Sequence, residues 1–340
     1  MLLFFVYNLN GKKNMKTLSV EAAIDVLTAS GYLVIEQYVK LQQYHIDEAC
    51  PKSIGIYLDV ETTGLNVYSD KIIEIGLVTF EFSSDGRIFK ILGEFNQYQD
   101  PKMPIPSHIT EITGITDEMV KGMSIDKDKL INYIAKADII IAHNAAFDRG
   151  FIESFIPSIP ARLWACSMVD VSWSTEGIES SKLEYLAYKY GFYYNGHRAI
   201  ADCLAGVHIL SKHLPKSKKS VLSEVLENCK KIKFRLWAKD APFESKDALR
   251  ARGYKWNPDT EGGKFKAWWI ELDEAGVIDE LEFLWSTIYR RQLKLPIDVI
   301  NAQARFSIVG NHTSQEEKNA NNVVVNNIYD RAFKEKCNYG

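Results

Sequence analysis

The stretch Ile54-Gly55-Ile56-Tyr57-Leu58-Asp59-Val60-Glu61-Thr62-Thr63-Gly64-Leu65 constrains what this chain can fold into more than any other. It begins as an apolar run rich in β-branched and aromatic residues, which predicts a buried strand. It then sets two carboxylates where the pattern calls for more hydrophobes. Residues two apart in a strand share a face, so Asp59 and Glu61 project together. Two adjacent like charges on a half-buried face are costly unless something positive lies between them. A divalent cation is the simplest remedy, and hard oxygen ligands suit Mg²⁺ or Mn²⁺. Gly64 then lets the backbone turn sharply. Alone, an Asp-x-Glu pair is a weak signal that a solvated strand end explains better. The residues downstream separate the two readings.

At 340 residues the chain exceeds one average domain, which predicts a main domain with additions. Its net charge of −3 is unevenly spread. Residues 215–267 hold 14 Lys+Arg against 7 Asp+Glu, a local +7 that leaves −10 for the rest. A basic module beside an acidic domain is the expectation. Five cysteines without a Cys-x-x-Cys pair exclude a disulfide framework and a zinc ribbon, and fit a reducing cytosol. No run approaches the roughly 18 apolar residues of a membrane span, so no membrane partner is expected. The apolar stretch from Met1 to Tyr7 lacks a basic lead and is too short for a signal peptide. Met15 is an alternative start.

Residues 19–43 carry Ala22, Ala23, Val26 and Leu27, then Leu33, Val34, Tyr38 and Leu41, at helical spacing broken by Gly31. This predicts two helices, the first capped by Ser19. From Pro51 the period changes. Ile54–Val60, Ile72–Phe82 and Ile88–Tyr98 read as consecutive strands, with a hairpin turn at Ser83-Ser84-Asp85-Gly86. A short helix breaks at Gly114, and Thr116 caps the next. Leu130–Lys136 is helical, Asp138–Ala142 is a fourth strand and Leu163–Ser167 a fifth. Leu183–Tyr190 and Ala199–Leu210 are helices. A hairpin row followed by strand–helix alternation predicts an α/β fold, a mixed sheet with helices on its faces.

Two further motifs fall at element ends. His143-Asn144-Ala145-Ala146-Phe147-Asp148 follows the fourth strand, where α/β folds place their sites. Asp148 there either complements a helix dipole or serves a site. His197-Arg198-Ala199-Ile200-Ala201-Asp202 puts Asp202 one turn into a helix beside Ala and Cys, where an unpaired carboxylate is hard to excuse. His197, on the loop before it, is a surface residue or a base.

Together, four acids and one histidine in this order resemble the DEDDh family of 3′→5′ exonucleases, the proofreading ε subunit of bacterial DNA polymerase III and its relatives. The resemblance covers about Ile54 to Leu214 and includes the Ile112-Thr113-Gly114-Ile115-Thr116 stretch. It implies a ribonuclease H-like sheet with Asp59, Glu61, Asp148 and Asp202 binding two divalent cations, Mg²⁺ or Mn²⁺. His197 would accept the attacking water's proton. Thr62, Thr63, Leu65, Asn144 and Phe147 would hold the 3′-terminal nucleotide, although Leu65 and Phe147 also fit plain core packing. The implied substrate is a single-stranded or frayed DNA 3′ end in the bacterial cytosol, associated with the nucleoid, for proofreading, repair or turnover. An RNA-trimming relative resembling ribonuclease T or oligoribonuclease, and a non-catalytic nucleic-acid-binding adaptor, are the alternatives.

The residues divide into an N-terminal helical extension (1–50), the nuclease domain (51–214), a basic linker (215–232), a basic Trp-rich α+β module (233–291) and a polar tail expected to be mobile (292–340). The module holds five of the seven tryptophans. Expected there are a strand at Phe234–Ala238, a helix from Lys246 to Arg252 capped by Ser245, a hairpin turning through Pro258–Gly263, and a closing helix near Ile278–Arg290. Trp256, Trp268, Arg250, Arg252 and Lys255 are candidate nucleic-acid contacts through stacking and phosphate pairing. The aromatics equally suit a small core. Gln292-Leu293-Lys294-Leu295-Pro296 faintly resembles a sliding-clamp-binding peptide, and a polymerase is the other protein partner considered; the polymerase-binding tail of the ε subunit is not recognisable here.

Overall fold

The computed structural model describes residues 2–7, 13–46, 48–258, 265–308 and 315–337. At its centre is a mixed five-stranded sheet. Strands β4 (Ser53–Thr62), β5 (Ile72–Phe82) and β6 (Ile88–Tyr98) form the antiparallel row, while β7 (Ile139–Ala142) and β8 (Leu163–Cys166) run parallel to β4, giving the order β6-β5-β4-β7-β8. The hairpin between β5 and β6 turns at Gly86 with φ +84°, as the Asp85-Gly86 pair predicts.

Period-two alternation along β4 sorts its side chains onto two faces. Ile56, Leu58 and Val60 enter a core closed by α4 (Lys127–Lys136) and α5 (Ala145–Phe155). Leu130 and Ile134, one turn apart, give α4 its buried stripe, and Asp126 caps it by accepting the Lys129 N–H at 2.9 Å. Tyr57 enters the opposite core with α6 (Leu183–Lys189), α7 (Ala199–Leu210) and α8 (Val221–Cys229). Asp59 and Glu61 therefore lie on the face that α7 covers. A Cβ on Gly206 would sit 2.1 Å from the Tyr57 ring, so glycine is what lets α7 reach the sheet. Between β6 and α4, α2 (Ser107–Thr113) ends at Gly114 with φ +70° and α3 (Asp117–Val120) follows.

The N-terminal extension differs from expectation. Strands β1 (Leu2–Tyr7) and β2 (Lys13–Leu18) pair as a hairpin, and only one helix follows, α1 (Val20–Ala29), capped by Ser19. The expected second helix is extended chain. There β3 (Glu36–Gln37) pairs in parallel with β9 (Phe192–Tyr193), the Glu36 and Tyr38 amides donating to the Gly191 and Tyr193 carbonyls. Leu33, Val39 and Leu41 stay exposed, so backbone pairing and the Tyr38 and Tyr44 rings against His208 decide this segment, not its apolar spacing.

The C-terminal module is a four-stranded antiparallel sheet, β11 (Lys255–Trp256), β12 (Trp268–Leu272), β10 (Lys233–Ala238) and β13 (Ile297–Ile300) in that order, against α9 (Lys246–Ala251) and α10 (Glu274–Phe283). Ser245 makes no side-chain cap; the chain enters α9 through a 3₁₀ turn at Phe243–Ser245. The expected turn at Pro258–Gly263 lies mostly outside the described residues. The closing helix starts earlier, capped by Asp273, and continues as a π-helical turn over Leu284–Ile288.

The expected mobile tail is instead structural. It supplies β13 and α11 (Gln315–Cys337), which sends Ile328, Tyr329 and Ala332 into the module's core. Leu295 is buried and Leu293 half-buried in that same core, so the apolar side chains of the clamp-like peptide are already spent.

Residues 302–308 then strap the module to the five-stranded sheet. The Ala302 carbonyl accepts the Trp164 N–H, and buried Arg149 on α5 donates to the carbonyls of Gln303 (2.7 Å) and Arg305 (2.6 Å) while pairing with Glu153 at 2.7 Å. Glu153 in turn accepts from Ser307 Oγ and the Ile308 amide, both at 2.9 Å, and Arg305 forks onto Asp170. Removing one member of a buried charge network leaves the other uncompensated, at a cost of about 3–5 kcal/mol. Glu153→Ala should lower the free energy of unfolding by that order in urea titration, whereas an unchanged midpoint would show that the strap does not hold the two parts together.

Candidate nuclease active site

Strand β4 delivers Asp59 and Glu61, and the first turn of α7 delivers Asp202. One carboxylate oxygen from each lies within 4.8 Å of the others. Asp148, on the first turn of α5, is buried beside them, and its Oδ1 accepts the Val60 N–H at 3.1 Å. The four acids predicted from three separate motifs therefore converge on the end of β4. Three share one set of ligand distances, and the fourth is tied to the strand's backbone.

Burial and mutual repulsion raise their proton affinities. Asp59 is held well above the usual carboxylate range by burial, then by the charges of Asp148, Asp202 and Glu61. Burial, followed by Asp202, Glu74 and Asp148, pushes Glu61 up to about 8, against the pull of Arg198. Burial also pushes Asp148 up to about 8, with the Val60 amide pulling the other way. Asp202 is raised by burial and restrained by a 2.7 Å bond from the Tyr194 hydroxyl and a 3.1 Å bond from the Arg198 amide. Crowded carboxylates of this kind fit a divalent cation, whose charge would replace the protons they otherwise retain.

His197 precedes α7 with φ +61°, and its Nε2 lies 3.4 Å from Glu184 Oε1, half-exposed at the rim. Of the other predicted residues, Leu65 is 86% exposed, which removes core packing as its explanation. Asn144 occupies the N-cap position of α5 without a side-chain cap bond, and Phe147 rests on Phe151 at the edge of the core. Thr62, the last residue of β4, and Thr63 after it are buried, and Thr63 Oγ1 meets the Lys71 amide at 3.0 Å and Asp70 at 3.3 Å.

The five basic and aromatic candidates of the module do not form one group. Trp256 and Trp268 pair across β11 and β12 with rings 5.6 Å apart, and the Arg250 guanidinium lies 6.0 Å from the Trp268 ring. Lys255 points to the opposite face, 5.3 Å from the Trp269 ring. Arg252 is engaged by Glu280 in a two-pronged pair at 2.8 and 2.7 Å and sits over Phe283. Glu74, Arg198 and Tyr194, none of them a site candidate from the motifs, also contact the cluster or its supports. An acid inside the apolar run Ile72-Ile73-Glu74-Ile75 was the available signal for the first.

Sheet order and flanking helices define a ribonuclease H-like fold, and its acidic cluster has the donor chemistry that suits divalent cations. Residues 56–210, somewhat under half of the chain, match the family model described as Exonuclease. The chain is similar to the PolC-type DNA polymerase III of Caldanaerobacter subterraneus subsp. tengcongensis, 29% identical over 224 residues that make up 61% of this chain and 16% of the relative. It is 35% identical to the PolC-type polymerase of Clostridium perfringens over 173 residues, 49% of this chain and 12% of the relative. The chain thus spans only a small part of these curated relatives. Among solved structures it is similar to Exonuclease X in complex with 5′-overhanging duplex DNA (21% identity, TM-score 0.37, covering 50% of this chain and 99% of that one). It is also similar to the zinc-bound E. coli ExoI–ssDNA complex (15% identity, TM-score 0.42, 74% and 63%). Among the described residues no helix is long and apolar enough to cross a membrane.

The raised carboxyls set a pH dependence. A group near 8 when folded and about 4 when unfolded binds more protons in the folded state between those values, so metal-free stability falls as pH rises from about 4 to about 8. The metal-free melting temperature should decline from pH 5 to pH 8, and the gain on adding Mn²⁺ should be larger at pH 8. A gain that is the same at both values would place the cation elsewhere.

Proposed function

We propose that the chain is a metal-dependent exonuclease that removes nucleoside monophosphates from DNA 3′ ends in the bacterial cytosol, in proofreading, repair or turnover. The observation that carries this reading is the convergence of Asp59, Glu61 and Asp202 on one point, with Asp148 beside them. Asp59, at the centre of the charge cluster, would be a shared ligand of the cations. Glu61 and Asp202 complete the set, with the Asp148 oxygen not engaged by the Val60 amide. Held by these carboxylates, a pair of divalent cations would supply positive charge for the oxygens on which phosphodiester cleavage builds negative charge.

The chain's own groups supply the rest. His197 takes the proton of the attacking water, a role worth about 10²–10⁴ in rate. Exposed Leu65 and half-buried Phe147 meet the terminal base, Asn144 lies by the backbone, and Thr62 and Thr63 shape the loop between them. On the module, Trp256, Trp268 and Arg250 form one aromatic and cationic side that suits unpaired nucleotides upstream.

The reading is tested by digesting matched 3′- and 5′-labelled DNA and RNA oligonucleotides with and without EDTA. Expected are stepwise loss from the 3′ end of DNA, dependence on Mg²⁺ or Mn²⁺, no turnover in Asp59→Ala, and a fall of about 10²–10⁴ in His197→Ala with cation binding retained. Wild-type rates from Asp59→Ala would refute the site, and faster loss of RNA would reassign the substrate.

Stacking on aromatic side chains contributes about 1–3 kcal/mol per base. Trp256→Ala should therefore weaken binding of a single-stranded 20-mer by about 5–100-fold in fluorescence anisotropy and leave the single-turnover rate at saturating DNA unchanged. Equal affinities for variant and wild type would remove the module from substrate binding.

A further inference from the structure

Glu74 is a carboxylate near the start of the buried strand β5. It has no exposed surface, and such a charge is tolerated only when its oxygens are saturated by donors. Four bonds reach it: Arg198 Nε at 3.2 Å and Nη2 at 3.0 Å, the Ala199 N–H at 3.1 Å and Asn96 Nδ2 at 3.1 Å. Its place in the sheet is specific. Glu74 is the cross-strand partner of Glu61, and Gly76, on the same face of β5, is the partner of Asp59. A Cβ on Gly76 would come 2.4 Å from the Ala199 carbonyl carbon, so the start of α7 lies directly on β5.

Three features of that helix start depend on outside support. The Ala199 N–H is among the first helical amides, which have no partner within the helix, and Glu74 supplies one from the sheet. Arg198 is fixed by Glu74 and by the Tyr98 hydroxyl, with its guanidinium 5.5 Å from the Tyr98 ring. His197, the preceding residue, holds a left-handed φ of +61°, a conformation that costs a β-carbon-bearing residue about 1 kcal/mol or more and persists only when its neighbours impose it.

We infer that Glu74 is a positioning residue for the proposed hydrolysis: through Arg198 and the Ala199 amide it fastens the loop–helix junction carrying His197 and Asp202 against the strand carrying Asp59 and Glu61. It acts through other residues and is not one of the cation's ligands. The inference rests on the nuclease reading for its consequence in rate, and on the structure alone for its consequence in cation affinity. Partners of this kind, one step removed from a metal, are worth about 10–100-fold in affinity or activity.

The test compares wild type, Glu74→Gln and Arg198→Lys. Glutamine keeps the shape but loses the charge, while lysine keeps a cation but cannot bridge with Nε and Nη2 together. Each is measured for Mn²⁺ affinity by calorimetry, for kcat and KM on a single-stranded oligonucleotide, and for melting temperature. Expected are Mn²⁺ affinity and kcat each lowered by about 10–100-fold in Glu74→Gln, with KM within about 3-fold, and a smaller change of the same sign in Arg198→Lys. A variant that melts earlier yet keeps wild-type Mn²⁺ affinity and kcat would overturn the positioning role and leave a purely structural one. If Glu74→Gln does not fold, unchanged Mn²⁺ affinity and kcat in Arg198→Lys would overturn it equally. A wild type without cation-dependent hydrolysis would refute the nuclease reading instead, while the Mn²⁺ titration would still decide for or against the role of Glu74.

Discussion

Repulsion among carboxylates on one face of one strand is the constraint around which the molecule is arranged. The opposite face of β4 is ordinary, with Ile56, Leu58 and Val60 in a continuous apolar core. On the other face Tyr57 is still core, and two residues later the chain presents Asp59 and Glu61 to the start of α7, which adds Asp202. A fold can hold such groups only if its packing elsewhere fixes them against mutual escape. The close approaches serve that end. Gly206 admits the Tyr57 ring, Gly76 admits the backbone of Ala199, and the Val60 amide anchors Asp148. Together they hold the carboxylates close, and burial with the neighbouring charges raises the proton affinities of Asp59 and Glu61 while burial raises that of Asp148.

What the chain shows in its letters follows from this arrangement. Asp59, Glu61, Asp148 and Asp202 were legible because each sits in a short motif whose neighbours fix its local geometry: a strand end, the first turn of α5, the first turn of α7. The five strands of the nuclease sheet were legible for the same reason, since alternation and apolar runs are local properties. Glu74 was not. Its meaning lies in donors 22, 124 and 125 residues away, and no local pattern records them. The second N-terminal helix failed likewise: its spacing suits a helix, but the edge strand at Phe192–Tyr193 offers the backbone a partner that periodicity cannot reveal. The polar composition of residues 292–340 suggested mobility, yet Ile328, Tyr329 and Ala332 are enough to seat α11 on a core supplied by other segments.

The same long-range logic bears on how the module relates to the nuclease sheet. A basic segment beyond a catalytic domain invites the picture of a tethered accessory. The bonds to Arg149 and Glu153 argue otherwise. Both lie on α5, the helix that opens with Phe147 and Asp148, and both are satisfied by backbone groups and a hydroxyl more than 150 residues further along. Neither charge has solvent to fall back on, so parting the module from the sheet would leave them buried and unpaired. The two parts therefore behave as one body, and α5 is held at its first turn by the Val60 amide and in its middle by the strap.

A fixed module also restricts which of its surfaces can meet substrate. Alternation along β12 sends Trp268 and Trp269 to opposite sides, as any strand must. On the side of Trp269 lie Lys255 and the paired Arg235 and Glu271, and Trp237 closes the layer with almost no exposure. On the side of Trp268 stand Trp256, 46% exposed, and the Arg250 guanidinium beside a ring face. Flanking them, Lys246 lies one helical turn before Arg250, with Phe243 under its ammonium at 4.8 Å and 81% exposed. Cations resting on ring faces keep their outer donors for phosphate while the rings stay open at their edges and outer faces. Arg252 shows the contrast: the same type of side chain, two residues on, is exposed but engaged in a two-pronged pair by buried Glu280. Position relative to the sheet, not the count of basic residues, decides which of them keep donors that no carboxylate engages.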